Sequence, residues 1–158
     1  MSFKSIRIIS VGKPRLSFWK QASDYYLEKL SHWRKIEETI VRDAPPGLDI
    51  DQRVEHESRR IASVITPVDI VVCLDEHGKT LTSTSFSSFL TELSSNSSFR
   101  PCFIVGGAFG LRLDLLPQTR HCISFGPQTF PHELARVILL EQLYRAETIA
   151  RNIPYHHG

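Results

Sequence analysis

The sequence predicts an α/β fold with a mostly parallel sheet flanked by helices, and three observations carry that prediction. Apolar runs alternate with segments of helical periodicity along the whole chain. One run, Val68 to Leu74, reads VDIVVCL, the β-branched composition of a strand buried on both faces, as parallel strands are. Each run ends at glycine, proline or polar residues, and no internal repeat divides the chain. With 158 residues and 41% apolar content, one domain over residues 1–158 with a sizeable core is expected.

Ser5 to Val11 reads as the first strand, closed by Gly12-Lys13-Pro14. A helix from about Arg15 to Trp33 follows. Trp19, Ala22, Tyr26, Leu30 and Trp33 recur at three- and four-residue steps, a stripe that favours core packing over a base-stacking platform. Lys35 to Arg42 alternates as a second strand and ends at Ala44-Pro45-Pro46-Gly47. Asp49 or Asp51 then caps a helix with Val54, Ile61 and Ile65 inward. Its charged residues (Arg53, Glu55, His56, Glu57, Arg59, Arg60) read as a solvated outer face. After the strand Val68–Leu74 comes a polar segment, Asp75 to Lys79, at the strand's carboxyl end. Phe86, Phe89, Leu90 and Leu93 give an amphipathic helix, and the serine-rich 94–98 a loop. Pro101 to Val105 is a buried strand entering Gly106-Gly107-Ala108-Phe109-Gly110. A short helical segment around Leu113 to Leu116 leads to the strand Cys122 to Phe125. A long helix primed by Pro131 and a tail, Tyr155-His156-His157, complete the chain.

Composition narrows the function. No apolar run approaches the roughly 20 residues that cross a bilayer, and the first residues lack secretory architecture. The three cysteines, Cys73, Cys102 and Cys122, lie far apart in apolar runs, which argues for buried reduced thiols rather than disulfides or zinc. A soluble cytoplasmic protein with no metal is expected. A net charge of +2 is too small for a non-specific polycation, so a nucleic-acid partner would need a local patch.

In open parallel sheets ligands bind beyond the carboxyl ends of the strands, so the loops after Leu74, Val105 and Phe125 are the candidate site. The Gly106-Gly107-x-x-Gly110 spacing fits neither a P-loop, since Leu111-Arg112 follows, nor a dinucleotide fingerprint. It does allow a backbone to approach a flat ligand closely. The irregular loop Gly126-Pro127-Gln128-Thr129-Phe130 offers backbone donors and acceptors suited to an adenine edge. Apolar residues cover most of the last helix, so one face is expected on the sheet and another on a second subunit. On it Glu141 and Arg145 stand in the favourable order for a pair, on the side of Leu134 and Ile138. His132 and Arg136, also four apart, are expected to project toward whatever the preceding loop binds.

With these residues in view, the sequence closely resembles the ribosomal RNA large subunit methyltransferase H family, small SPOUT-class enzymes with a C-terminal trefoil knot. The matching elements are Val11-Gly12-Lys13, Leu74, Ile104-Val105-Gly106-Gly107-x-x-Gly110-Leu111, Ser124-Phe125, Thr129-Phe130-Pro131-His132, Arg136, Glu141-Gln142-x-Tyr144-Arg145-Ala146 and Pro154-Tyr155-His156. The resemblance implies S-adenosylmethionine as cofactor and methylation of N3 of a pseudouridine in 23S rRNA on the assembled ribosome. It also implies a homodimer whose site draws on both subunits. Carried over, the cofactor positions are Leu74, Gly106, Phe125, Gly126, Pro127, Gln128, Thr129 and Phe130.

The chemistry of methylating N3, whose weakly acidic proton must leave, orders the catalytic candidates. Arg136 and then Arg145 would stabilise charge developing on the uracil ring, His132 or His156 would take the N3 proton, and Tyr155 would stack on or hydrogen-bond the base. Two departures stand out. Phe109 occupies a place where the family often has an acidic or polar residue. His157-Gly158 follows His156 where a permanent cation is common, so a titratable group replaces a fixed charge. The competing readings are a non-catalytic ribosome-binding protein of the same fold and a SPOUT methyltransferase of tRNA. A nucleotide-dependent oxidoreductase is disfavoured by the missing fingerprint.

Overall fold

The structure is a computed structural model and describes residues 4–117 and 119–158. Five strands form one parallel sheet in the order β2-β1-β4-β3-β5. β1 (Ser5–Val11) and β4 (Arg100–Val105) lie at its centre, β2 (Lys35–Val41) and β5 (Thr119–Ser124) at its edges, and β3 (Asp69–Thr80) between β4 and β5. The α/β class expected from alternation is therefore the class observed.

The centre of the sheet is apolar on both faces: Ile6, Ile8, Ile9, Val71, Val72, Phe103 and Ile104 are all buried. Helices α1 (Ser17–Leu30), α3 (Ser83–Leu93) and α4 (His132–Ala150) cover one face, where Leu139, Leu140 and Leu143 pack with Ile6, Ile8, Leu90 and Phe103. Each such leucine contributes about 1.5–3 kcal/mol of burial. Helix α2 (Ile50–Val64) covers the other with Ile61 against Ile9, Val71 and Ile104. Asp49 is its N-cap, and with Gln52 it forms a capping box. Pro131 stands as the N-cap of α4.

Four local expectations change. α1 ends at Leu30, so Trp33 leaves the helix and stacks on Tyr144 at 5.7 Å between centroids; Trp19, Tyr26 and Trp33 are half-buried and only Leu30 is fully covered. The helical segment after the glycine loop is a single 3-10 turn, Leu113–Leu115. Glu57, read as outer surface, is buried, because its carboxylate accepts the Ala44 N–H at 2.9 Å. β3 also continues past Leu74. Leu74 and Lys79 both pair with Ile123, so residues 75–78 bulge out between two pairings with the same neighbour. Gly78 lies flat against β5, where a Cβ would come within 2.6 Å of the Ile123 backbone.

Cys73 and Cys102 are buried free thiols, and burial pushes both up to about 12. Cys122 is free and only half-buried. No helix of the described residues is long and apolar enough to cross a membrane.

Candidate active site

The bulge of β3 carries Asp75, Glu76 and His77 to the carboxyl edge of the sheet. The glycine loop after β4 and the loop after β5 meet it there. Together they enclose a cavity of about 370 Å³, within the range of roughly 300–1,000 Å³ usual for small-molecule sites. Leu74, Gly106, Phe125, Gly126, Gln128, Thr129 and Phe130 all line it, so seven of the eight positions expected to hold a cofactor converge on one cavity. Pro127 does not line it: the loop turns at Gly126, which has φ +122°, and Pro127 is not among the residues that face the cavity.

Short-range geometry fixes these loops. Ser124 Oγ donates to the Gly126 carbonyl at 2.8 Å and accepts the Gly126 N–H at 3.0 Å, closing the turn after β5. Thr129 Oγ1 donates to Glu76 Oε2 at 3.1 Å, joining that loop to the β3 bulge. Gly106 has Leu111 and the Gly110 backbone so close that a Cβ would meet them at 2.8 and 3.0 Å. Asp75, Glu76 and Gly107, in loops expected to form the site but not singled out as cofactor positions, line the cavity as well, and so does Ser124. The polar composition at a strand's carboxyl end was the available signal for the first two.

The charge of the cavity is distinctive. Among its described lining residues the ionisable ones are Asp75, Glu76, His77 and His132, with no lysine or arginine. Such a wall suits a ligand carrying positive charge and a flat heterocycle, and serves a pyrophosphate poorly. Among the described residues no cluster of three His, Cys, Asp or Glu could hold a metal.

The candidate catalytic residues fall into two groups. His132 lines the cavity at the start of α4. Arg136 does not reach it, contrary to expectation. Its guanidinium is buried and turned to β2 and α1, where Nε and Nη2 donate to Glu38 Oε1 and Nη1 to Ser23 Oγ at 2.7 Å. A buried guanidinium must be paired, and the carboxylate that satisfies it, Glu38 on the edge strand β2, does not line the cavity.

Arg145, Tyr155 and His156 form the second group. Arg145 donates to Glu141 Oε1 and lies 3.3 Å from His156 Nδ1, with its guanidinium 4.6 Å from the Tyr155 ring centroid. Bonding to Glu141 raises the Arg145 pKa. Desolvation and then the Glu141 contact raise that of the Tyr155 hydroxyl. This cluster sits near the other end of α4. At 1.5 Å per residue, residue 145 lies about 20 Å along the axis from residue 132.

A parallel α/β sheet with a loop-built cavity at its carboxyl edge, followed by one long helix with a polar tail, is of the open α/β class whose small-ligand sites lie at that edge. The chain belongs to the SPOUT methyltransferase family: the family model described as "Predicted SPOUT methyltransferase" matches residues 4–156. The expected SPOUT-type fold goes with that membership. The chain is 50% identical over 157 residues to the ribosomal RNA large subunit methyltransferase H of Lawsonia intracellularis, covering 99% of this chain and 100% of that one. It is 47% identical over 154 residues to the protein of the same name from Nitratidesulfovibrio vulgaris, covering 98% and 99%. Among solved structures, the SpoU methyltransferase AviRb of Streptomyces viridochromogenes gives a TM-score of 0.47 at 15% identity, over 93% of this chain and 59% of that one. That likeness is too remote to assign anything here.

Proposed function

We propose that this chain is an S-adenosylmethionine-dependent methyltransferase acting on N3 of a pseudouridine in 23S rRNA of the assembled ribosome. It would work as a single-domain homodimer in the cytoplasm. The observation that carries the reading is the end-to-end likeness to a protein named for methylating large-subunit ribosomal RNA, 50% over 157 residues. The cavity is consistent with it: acidic Asp75 and Glu76 suit a sulfonium, and glycine backbone with Phe125 and Phe130 suits an adenosine. S-adenosylmethionine, when bound, supplies an electrophilic methyl group.

The chain's residues then have three tasks. The N3 proton must leave the base, and the imidazole of His132 or His156 would accept it. Negative charge spreading over the uracil ring needs a cation, and Arg145 is the better candidate now that Arg136 is committed to Glu38. Tyr155 would hold the base, by stacking or through its hydroxyl. Arg136 becomes a positioning residue that fixes the start of α4, and with it His132.

A second copy of the chain reconciles the two ends of α4. His132 and the Arg145 cluster are too far apart along one helix to touch one base. Leu134, Val137, Ile138 and Ile149 remain only half-buried, and a hollow of about 230 Å³ bounded by Leu81, Phe125 and Ile138 lies beside them. An antiparallel pairing of two α4 helices would cover that stripe and bring the tail cluster of one copy to the cavity of the other. To test the function, ribosomes lacking the modification are incubated with purified protein and S-adenosylmethionine, and the 23S rRNA is analysed by mass spectrometry. N3-methylated pseudouridine is expected. Methylation of tRNA instead, or none at all, overturns the reading.

A further inference from the structure

The glycine loop lines the cavity along its whole length; inside it the Gly110 N–H donates to the Gly107 carbonyl at 3.2 Å, and further support comes from outside the loop. Three of its points rest on α2. At its far end Ser58 Oγ, fully buried in mid-helix, accepts the Arg112 N–H at 2.9 Å. At its tip the Arg53 guanidinium lies 5.9 Å from the Phe109 ring centroid. At its near end Gly107 lies directly over Glu57. A Cβ there would fall 2.4 Å from Glu57 Oε2 and 3.4 Å from Val11 Cγ1. Glu57 is buried and its other oxygen is held by the Ala44 N–H at 2.9 Å, so the carboxylate has little room to swing aside. Gly107 has no positive φ to demand glycine; the close carboxylate demands it.

We infer that α2 is the seat of the cofactor loop, with Glu57 and Ser58 as positioning residues that set affinity for S-adenosylmethionine without touching it. The inference rests on the cavity being the cofactor site. Held from behind by α2, the loop backbone is pre-organised and does not pay its ordering cost on binding.

The test is calorimetric titration of the full-length protein with S-adenosylmethionine, together with KM and kcat for the cofactor on ribosomes. Gly107→Ala should weaken binding by about tenfold or more, the size of a modest steric displacement. Adding Glu57→Asp, which withdraws the carboxylate by one methylene, should recover most of that loss. Ser58→Ala should raise Kd and KM about fivefold, the worth of one hydrogen bond, with kcat at saturating cofactor unchanged. Ile8→Val, a buried change in the core on the opposite face of the sheet from α2, should lower stability and leave Kd unchanged. Wild-type protein that binds no S-adenosylmethionine refutes the cofactor reading itself. Wild-type binding with unaltered affinity in Gly107→Ala and Ser58→Ala refutes only the seat. Loss of affinity in Ile8→Val equal to that in Ser58→Ala refutes it too.

Discussion

The Tyr155 hydroxyl donates to Glu141 Oε1 at 3.1 Å, which folds the tail back onto the helix it leaves. The same oxygen accepts Arg145 Nε at 3.0 Å and Nη2 at 2.5 Å. One carboxylate oxygen thus sets the places of the aromatic ring and the cation proposed to meet the base. Burial and this contact both raise the Tyr155 pKa, so the hydroxyl remains a donor at neutral pH.

Glu141→Ala should therefore release Arg145 and Tyr155 together. The pair is partly solvated, with side chains 24% and 18% exposed, so the melting temperature should move little. Methyl transfer should fall about 10²-fold, as expected when reacting groups drift by about an ångström. Rates measured by methyl incorporation that match wild type would show that the tail need not be held.

Arg136 should behave as a structural cation. Removing it in Arg136→Ala strands Glu38, and the loss should be about 2–3 kcal/mol, below the roughly 3–5 kcal/mol of a fully buried pair because Glu38 keeps some contact with water. Urea denaturation measures it. Adding Glu38→Ala should return part of the stability, since no uncompensated charge is then left; purely additive losses would contradict the coupling.

The half-buried stripe of α4 gives a prediction about assembly. Ile138→Asp places a charge in the middle of the proposed contact between two copies. Light scattering after size exclusion should shift from dimer to monomer, with methylation lost and the far-ultraviolet circular dichroism retained. A variant that stays dimeric would move the contact elsewhere.

Acid sensitivity should trace to Asp69, whose side chain is fully buried. It accepts Arg7 Nη1 and Arg100 Nε, both at 2.7 Å, and both the Thr66 N–H and hydroxyl. Burial alone would raise its pKa, but these contacts, led by Arg100, outweigh burial and lower it. With the folded value below the unfolded value of about 3.9, its stabilisation is complete above that pH and is lost as pH falls through the folded value. Melting temperatures between about pH 6 and about pH 2 should drop less steeply in Asp69→Asn, which is less stable throughout. Parallel curves for the two proteins would assign the acid limb to other groups.

Much of this fold was legible because its signals are local. β1 was read to the residue, Asp49 was one of the two caps expected for α2, and the long final helix was placed by Pro131. The three loops of the cavity followed from strand direction alone. What failed was long-range. Helical spacing sets Arg136 beside His132 but says nothing of Glu38, 98 residues earlier, which claims the guanidinium. Glu57 sits in a run of charges, and only the Ala44 amide and Gly107 make it an interior residue. The bulge of β3 depends on Ile123 pairing twice, a register that no local pattern in residues 75–79 records.

The sheet order has a consequence for how the protein is made. β1 finds its central partner, β4, only when residues 102–105 exist, and its apolar face is sealed by Leu139, Leu140 and Leu143 near the other end of the chain. A nascent chain leaving the ribosome therefore carries an open core until residues 139–143 have been made. The core cannot close before α4 is made, and a premature stop within α4 would yield an aggregation-prone fragment rather than a weakened protein.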